Sequence, residues 1–275
     1  MIFLKKLTNI FFNILIYLRI INKKKKSLRI LMFHDIYDYK KFEKIIIHLK
    51  KDWEFISPDY FYNICKNKKK INKRLILLTF DDGFKSNLKV AEEILSKYRI
   101  KAIFFIPFQF VNIQNLRNKQ KFINKNLKIE KITSKMDSMN LNDIKKLIKL
   151  KHKIGAHTYS HSDLKFTKNI KKLNFEIIDA TDKFQKKINR KIKLFAFNFG
   201  RLKNISQPMV KIANKRFDLL FTGIRGQNNF STKLLFRDNI NLEDNIYDIN
   251  VYMHGIYDLF YKKERKKLLS FLRKA

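Results

Sequence analysis

The sequence predicts an α/β protein, a parallel sheet of about seven strands closed or nearly closed into a barrel, with helices outside. Three observations predict it. Apolar runs of strand length alternate with amphipathic segments of helical period, and repeated β–α–β–α order argues parallel strands joined by helical crossovers. The chain of 275 residues holds only 6 Gly and 3 Pro, and no Pro/Gly-rich linker divides it. Hydrophobic residues make up 45%, enough for one sizeable core and too many for a disordered chain. One domain over residues 28–273, preceded by an appendage at 1–27, is therefore expected.

RILMFH (29–34) reads as the first strand. Phe42, Ile45, Ile46 and Leu49 recur at i, i+3, i+4, i+7 and predict a helix over 39–51. RLILLTF (74–80) is the second strand, and 88–98 a helix with Val90, Ile94 and Leu95 on one side. KAIFFIP (101–107) is the third strand. The stretch 108–139 is Asn/Lys-rich and weakly periodic, a long loop of the kind that is functional or partly disordered. A helix at 141–151 leads to the strand KIGAHT (153–158). Leu173, Ile177, Ala180, Phe184 and Ile188 mark a long helix over 168–189, and IKLFAFNF (192–199) is the next strand. A helix near 205–215, strands at DLLFT (218–222), TKLLF (232–236) and DINVYMH (248–254), and a basic helix at 260–273 complete the pattern.

Lys+Arg is 61 against 24 Asp+Glu, a formal charge of +37. Such a charge attracts anionic partners, whether nucleic acid, phosphate-bearing substrates or an anionic membrane face. The cations are mostly lysines spread along the whole chain among Asn, Ile and Phe, as AT-rich codons would give. No Arg-rich segment or aromatic nucleic-acid motif stands out, so no specific nucleic-acid partner is expected, and no protein partner is inferred. Cys65 is the only cysteine, which excludes an intramolecular disulfide.

At the N-terminus, the apolar stretch from Leu7 to Ile21 is interrupted by Asn9, Asn13 and Arg19. It is shorter than the ~20 residues of a spanning helix, and no small-residue cleavage site follows it. Ile10, Phe11, Ile14, Leu15, Leu18 and Ile21 share one helical face with lysines at both ends. The pattern fits a helix lying on a membrane surface or against the domain, with a short uncleaved anchor as the alternative. The expected location is cytoplasmic, peripheral at the inner membrane face where anionic lipid is met. The alternative is an anchored, extracytoplasmic protein.

The chemistry gathers at strand ends. In LLTFDDGF (77–84), Asp81 and Asp82 stand where the second strand leaves the core. Neighbours on a strand point to opposite faces, so the two carboxylates can do different jobs. Strand termini are where α/β barrels carry active sites, although an Asp before a helix also serves as a cap. IGAHTYSHSDL carries His157 and His161 at another strand end, spaced so that two imidazoles reach one point if the chain turns helically. Two His and one carboxylate make a three-ligand set that leaves metal positions open. His34, at the end of the first strand, could face the same barrel mouth, but reads first as a hydrogen-bonded core histidine. His48 and His152 sit in lysine-rich helical context and read as solvated.

These segments resemble the polysaccharide deacetylases, carbohydrate esterase family four. Thr79-Phe80-Asp81-Asp82-Gly83 matches the family's T-F-D-D-G, and His157-Thr158-Tyr159-Ser160-His161 its H-[ST]-x-x-H. Phe195-Ala196-Phe197-Asn198-Phe199-Gly200 is similar to its F-x-Y-P-Y-G, with Asn198 in place of Pro. The likeness covers about residues 28–225. It implies a distorted (β/α) barrel of about seven strands and removal of N-acetyl groups from an amino sugar, in a glycan or lipid-linked precursor, with release of acetate. It implies a divalent metal held by Asp82, His157 and His161, with zinc the default and cobalt, nickel, manganese or iron accepted by such a donor set. Asp81 is implied as general base, and the Phe199 backbone N–H as an oxyanion donor. The family's late L-x-H motif, source of the general acid, has its nearest match at Tyr252-Met253-His254, which nominates His254. Arg237 and Asn198 are the candidate substrate-binding residues, while Arg201 reads as a surface ion pair. A glycan-binding or assembly protein that keeps the barrel without turnover is the alternative function.

Overall fold

The computed structural model describes residues 8–12, 14–15, 26–131, 133, 136–228 and 230–273. Leu18 and Ile21 of the expected amphipathic face lie outside them. The strands are β1 (Ser27–Phe33), β2 (Glu54–Phe55), β3 (Arg74–Phe80), β4 (Ala102–Ile106), β5 (Lys153–Ala156), β6 (Leu194–Ala196), β7 (Leu219–Phe221), β8 (Leu234–Leu235) and β9 (Asp238–Asn239). Every pairing is parallel, in the order β8-β7-β6-β5-β4-β3-β1-β9, with β2 beside the first half of β3. Curled on itself, this sheet is the distorted barrel the motifs imply.

The barrel has a seam. β8 pairs with β7 at Phe221↔Leu235, and β9 pairs with β1 at Leu31↔Asp238. The extended segment 234–239 thus borders both edges of the sheet and bridges them. Its backbone continues the bonding on each side, with Arg237 N donating to Ile224 O and Ile240 N to Met32 O.

Alternation along the strands sorts the core into two layers, as a sheet of period two must. Leu28, Ile30, Leu75, Leu77, Ile103 and Phe105 belong to an inner cluster that Phe61 and Ile64 close at one end. Those two come from α2 (Pro58–Lys66), which follows α1 (Tyr39–Lys50) in the chain. Leu31, Phe33, Leu78, Phe80 and Phe104 face outward and meet the apolar stripes of the surrounding helices, among them Phe42, Ile45 and Ile46 of α1. Arg29 sits between two inward residues and so points out, buried. It donates to Asp238 at 2.5 and 2.7 Å and to Asp258 at 2.8 and 3.0 Å, tying the seam to the C-terminal elements.

Several expectations are corrected. DINVYMH is not a strand: α10 (Ile246–Met253) is a helix begun by a capping box in which Asn245 and Asp248 exchange side-chain and backbone bonds. Residues 108–139 are not one loop, since α4 (Phe108–Asn112) and α5 (Leu116–Lys125) lie within them. Their aromatic residues explain why: Phe110 and Phe122 stack at 4.7 Å over Phe84 in a small core of their own. His152 is buried rather than solvated and accepts from Ala102 N at 3.1 Å. The basic C-terminal helix is α11 (Lys262–Arg273), entered through a 3₁₀ segment, Ile256–Tyr261. No helix among the described residues is long and apolar enough to cross a membrane.

Candidate active site and metal centre

The inward register of β3 runs Leu75, Leu77, Thr79 and then Asp81. Regular alternation would send Asp82 to the opposite face. A positive φ of 71° at Asp82, followed by 74° at Gly83, turns the chain so that Asp82 lines the same cavity. The histidine loop is folded by a similar device. Thr158 (φ 60°) and His161 (φ 55°) are left-handed, and Thr158 Oγ1 accepts from His161 N at 3.0 Å. Buried Glu176 holds the loop from behind, accepting from Tyr159 N, Ser160 N and Ser160 Oγ at 3.1, 2.9 and 2.7 Å.

Asp82, His157 and His161 converge, with ligand atoms all within 4.8 Å of one another. His157 Nδ1 bonds Ala196 O at 2.8 Å and His161 Nδ1 bonds Asn126 O at 3.0 Å. Since a carbonyl only accepts, each Nδ1 carries the proton and each Nε2 presents a lone pair. The two Nε2 atoms lie 3.5 and 3.2 Å from Asp82 Oδ1, which is buried and has no hydrogen-bond partner. Two imidazole lone pairs and an orphaned carboxylate oxygen aimed at one point suit a divalent cation. The 108–139 segment supports this geometry: the Asn126 carbonyl holds the His161 ring, and its amide donates to Ser160 O at 2.7 Å.

Asp81 is held differently. Arg237, fully buried, donates from Nη1 and Nη2 to its two oxygens at 2.7 Å each. Arg237 Nε is spent on Thr222 O at 2.8 Å. Burial pushes Asp81 up, while the Arg237 charge and hydrogen bonds bring it below the ordinary value, so it is ionised. Arg237 is therefore a positioning residue for Asp81, which corrects its reading as a substrate contact. Asn198 is also corrected. It is buried, and its amide donates to Ser162 O, tying the third motif to the histidine loop instead of reaching into the cavity. Phe199 follows with φ 57°, its ring edge-on to His161 at 4.7 Å. Gly200 then approaches the neighbouring turn so closely that a Cβ there would lie 2.2 Å from Gly223 N. Arg201 pairs with Glu264 at 2.8 Å as expected of a surface pair.

His254 does not join the site. It caps the C-terminus of α10, with Nδ1 bonded to Asn250 O at 2.8 Å and Nε2 to Arg74 Nη2 at 3.1 Å. Arg74 is the first residue of β3 and Asp81 follows its last, so His254 belongs to the opposite end of the barrel, ~20 Å away by the strand rise. As a strand DINVYMH would carry His254 to a strand end; as a helix it leaves His254 at the helix C-cap. A third histidine lines the cavity beside His157 and His161: His34, at the end of β1, half-buried and near both Asp81 and Asp82, which corrects its reading as a core histidine. Its place at a strand end beside β3 was the signal. The cavity is open, about 1130 Å³, with Met32, Leu127, Phe166 and Phe199 among its walls.

A family model described as polysaccharide deacetylase matches residues 68–216. The chain therefore belongs to the polysaccharide deacetylase family. Its fold is shared by IcaB from Ammonifex degensii (17% identity over 84% of this chain and 98% of that one, TM-score 0.68). It is shared by the Streptococcus pyogenes deacetylase PplD, solved with acetate (19% identity, 82% and 98% covered, TM-score 0.66). A de-N-acetylase from Aggregatibacter actinomycetemcomitans is similar at 13% identity, with 82% and 99% covered and a TM-score of 0.64. No curated protein sequence matches the chain.

Proposed function

We propose that this deacetylase is a divalent-metal-dependent hydrolase that removes N-acetyl groups from an amino sugar, in a glycan or a lipid-linked glycan precursor, releasing acetate. The observation that carries the reading is the convergence of Asp82, His157 and His161 beside an ionised, arginine-clamped Asp81 at the floor of an open cavity. Asp82 Oδ1, His157 Nε2 and His161 Nε2 would hold the cation. When bound, such an ion polarises a carbonyl and lowers the pKa of water toward ~7.

The chain's own residues supply the proton traffic. Asp81 Oδ2, 3.7 Å from His157 Nε2, takes the proton of the attacking water. Arg237 fixes that carboxylate in one orientation and keeps it ionised. The Phe199 N–H is assigned to the oxygen of the amide carbonyl as it gains charge. His34 returns a proton to the departing amine nitrogen, the role expected of His254 from the sequence. Two departures favour a barrel without turnover: the absent late histidine and Asn198. His34 supplies a counterpart for the first, and the Asn198–Ser162 bond for the second.

The test is acetate release from N-acetylated oligosaccharides, with and without chelator, alongside metal content. Asp82→Ala and His157→Ala are expected to lose metal and activity together. Asp81→Asn is expected to keep the metal and lose at least ~100-fold in kcat. A metal-loaded protein inert on a broad glycan panel would favour the binding protein instead.

A further inference from the structure

The end of the barrel opposite the active site holds a second cavity, of about 280 Å³, lined by Arg29, Arg74, His254, Asp258, Leu259 and Arg265 among others. Its charges do not balance. Arg29 and Arg225 face Asp238 and Asp258, two cations against two carboxylates. That leaves Arg74 and Arg265. The one carboxylate Arg74 reaches among the described residues is half-exposed Asp52, at 3.8 Å; its Nη2 meets the His254 ring at 3.1 Å, and its buried Nε has no hydrogen-bond partner. Its guanidinium is backed by the Trp53 ring at 4.6 Å. Arg265 donates Nη1 to two backbone carbonyls, Arg225 O and Asp258 O, at 2.7 and 2.6 Å. Gly226 makes room for it, since a Cβ there would lie 2.6 Å from Arg265 Cδ. Burial lowers the pKa of both guanidiniums, the direction expected of desolvated cations short of counter-charge.

The rim of this cavity is apolar where it meets solvent. Leu259 and Phe260 are 75% and 76% exposed. They belong to the 3₁₀ segment whose Tyr257 packs on Phe260 and donates to Asn9 Oδ1 at 2.9 Å. Asn9 is buried there, while Ile10, Phe11 and Ile14 of the same helical stretch stay 44–57% exposed. Lys262, Lys263, Lys266 and Lys267 follow directly, all exposed. A guanidinium pair short of an anion, exposed large apolar side chains and a lysine-rich flank are complementary to an anionic lipid surface. We propose that the Arg74–Arg265 cavity seats the phosphate of an anionic lipid headgroup, with Leu259 and Phe260 entering the interface.

Sedimentation of the full chain with phosphatidylcholine vesicles, with and without phosphatidylglycerol, tests this at near-physiological salt. Binding is expected only with the anionic lipid. Arg74→Gln and Arg265→Gln, made singly and together, are expected to weaken it, the pair by about tenfold or more. Leu259→Ser with Phe260→Ser is expected to do the same, and thermal melts report that each variant is folded. Lys145→Gln with Lys149→Gln removes as much charge from an exposed helix elsewhere and is expected to change binding less than about threefold. An equal loss in that lysine control would reduce the effect to net charge and overturn the proposal. So would stabilisation by inorganic phosphate through the two arginines in a protein that ignores vesicles, because the cavity would then hold free phosphate.

Discussion

Asp81 and Arg237 lie 156 positions apart and are bonded at both oxygens. A guanidinium matches a carboxylate in that geometry and an ammonium does not. Arg237→Lys is expected to keep the charge and the metal content while lowering kcat by roughly tenfold or more. The two histidines separate cleanly. His34→Gln is expected to cost at least ~100-fold in turnover, and His254→Ala to leave turnover near normal, since His254 sits at the other end of β3. Acetate release from one soluble oligosaccharide measures both. At this scale the sequence was legible wherever chemistry is local. Asp81-Asp82-Gly83 and His157 through His161 are contiguous, and their spacing carries their geometry. The partners that aim them are not contiguous: Ala196 O, Asn126 O and Arg237 arrive from other elements, and no spacing rule announces a backbone carbonyl.

At the scale of elements, His152 joins the helix before β5 to the start of β4. Burial, with Lys101 adding to it, pushes its pKa down to about 4. The unfolded value is near ~6.5, so the unfolded chain binds more protons between the two. Stability is therefore full above the unfolded value and falls as pH drops through this window, by up to about 3 kcal/mol. His152→Gln, which keeps an acceptor for Ala102 N, is expected to show a flatter urea midpoint between pH 7 and pH 4. An unchanged slope would mean that other groups carry the acid sensitivity. The strongly periodic elements, such as α1 and the long helix through Phe184, were readable because their apolar stripes match what they bury. α10 was misread although its signal was present. Asn245-Ile246-Tyr247-Asp248 is a capping box, and the alternation in DINVYMH masked it. Two-residue strands such as β2 and β9 are set by pairing with β3 and β1, which local sequence does not encode.

Across the whole molecule, the parallel order and the outer helices follow from the alternation of segments, whereas closure depends on the extended stretch 234–239. Successive residues in that stretch serve different ends, with Arg237 turned inward to Asp81 and Asp238 outward to Arg29. A shift of one position would exchange them, sending a carboxylate toward Asp81 and a guanidinium toward Arg29. The stretch is short, and strands of this length have little stability of their own. In a denaturant titration, acetate release is expected to fade at lower urea than far-UV ellipticity. Coincident curves would mean that the stretch opens only with the whole barrel. Assembly of the enzyme thus carries its own safety catch. A chain that has not yet knitted its first strand to its seventh lacks the clamp on Asp81, so on the proposed role of Asp81 hydrolysis would switch on only when the ring is complete.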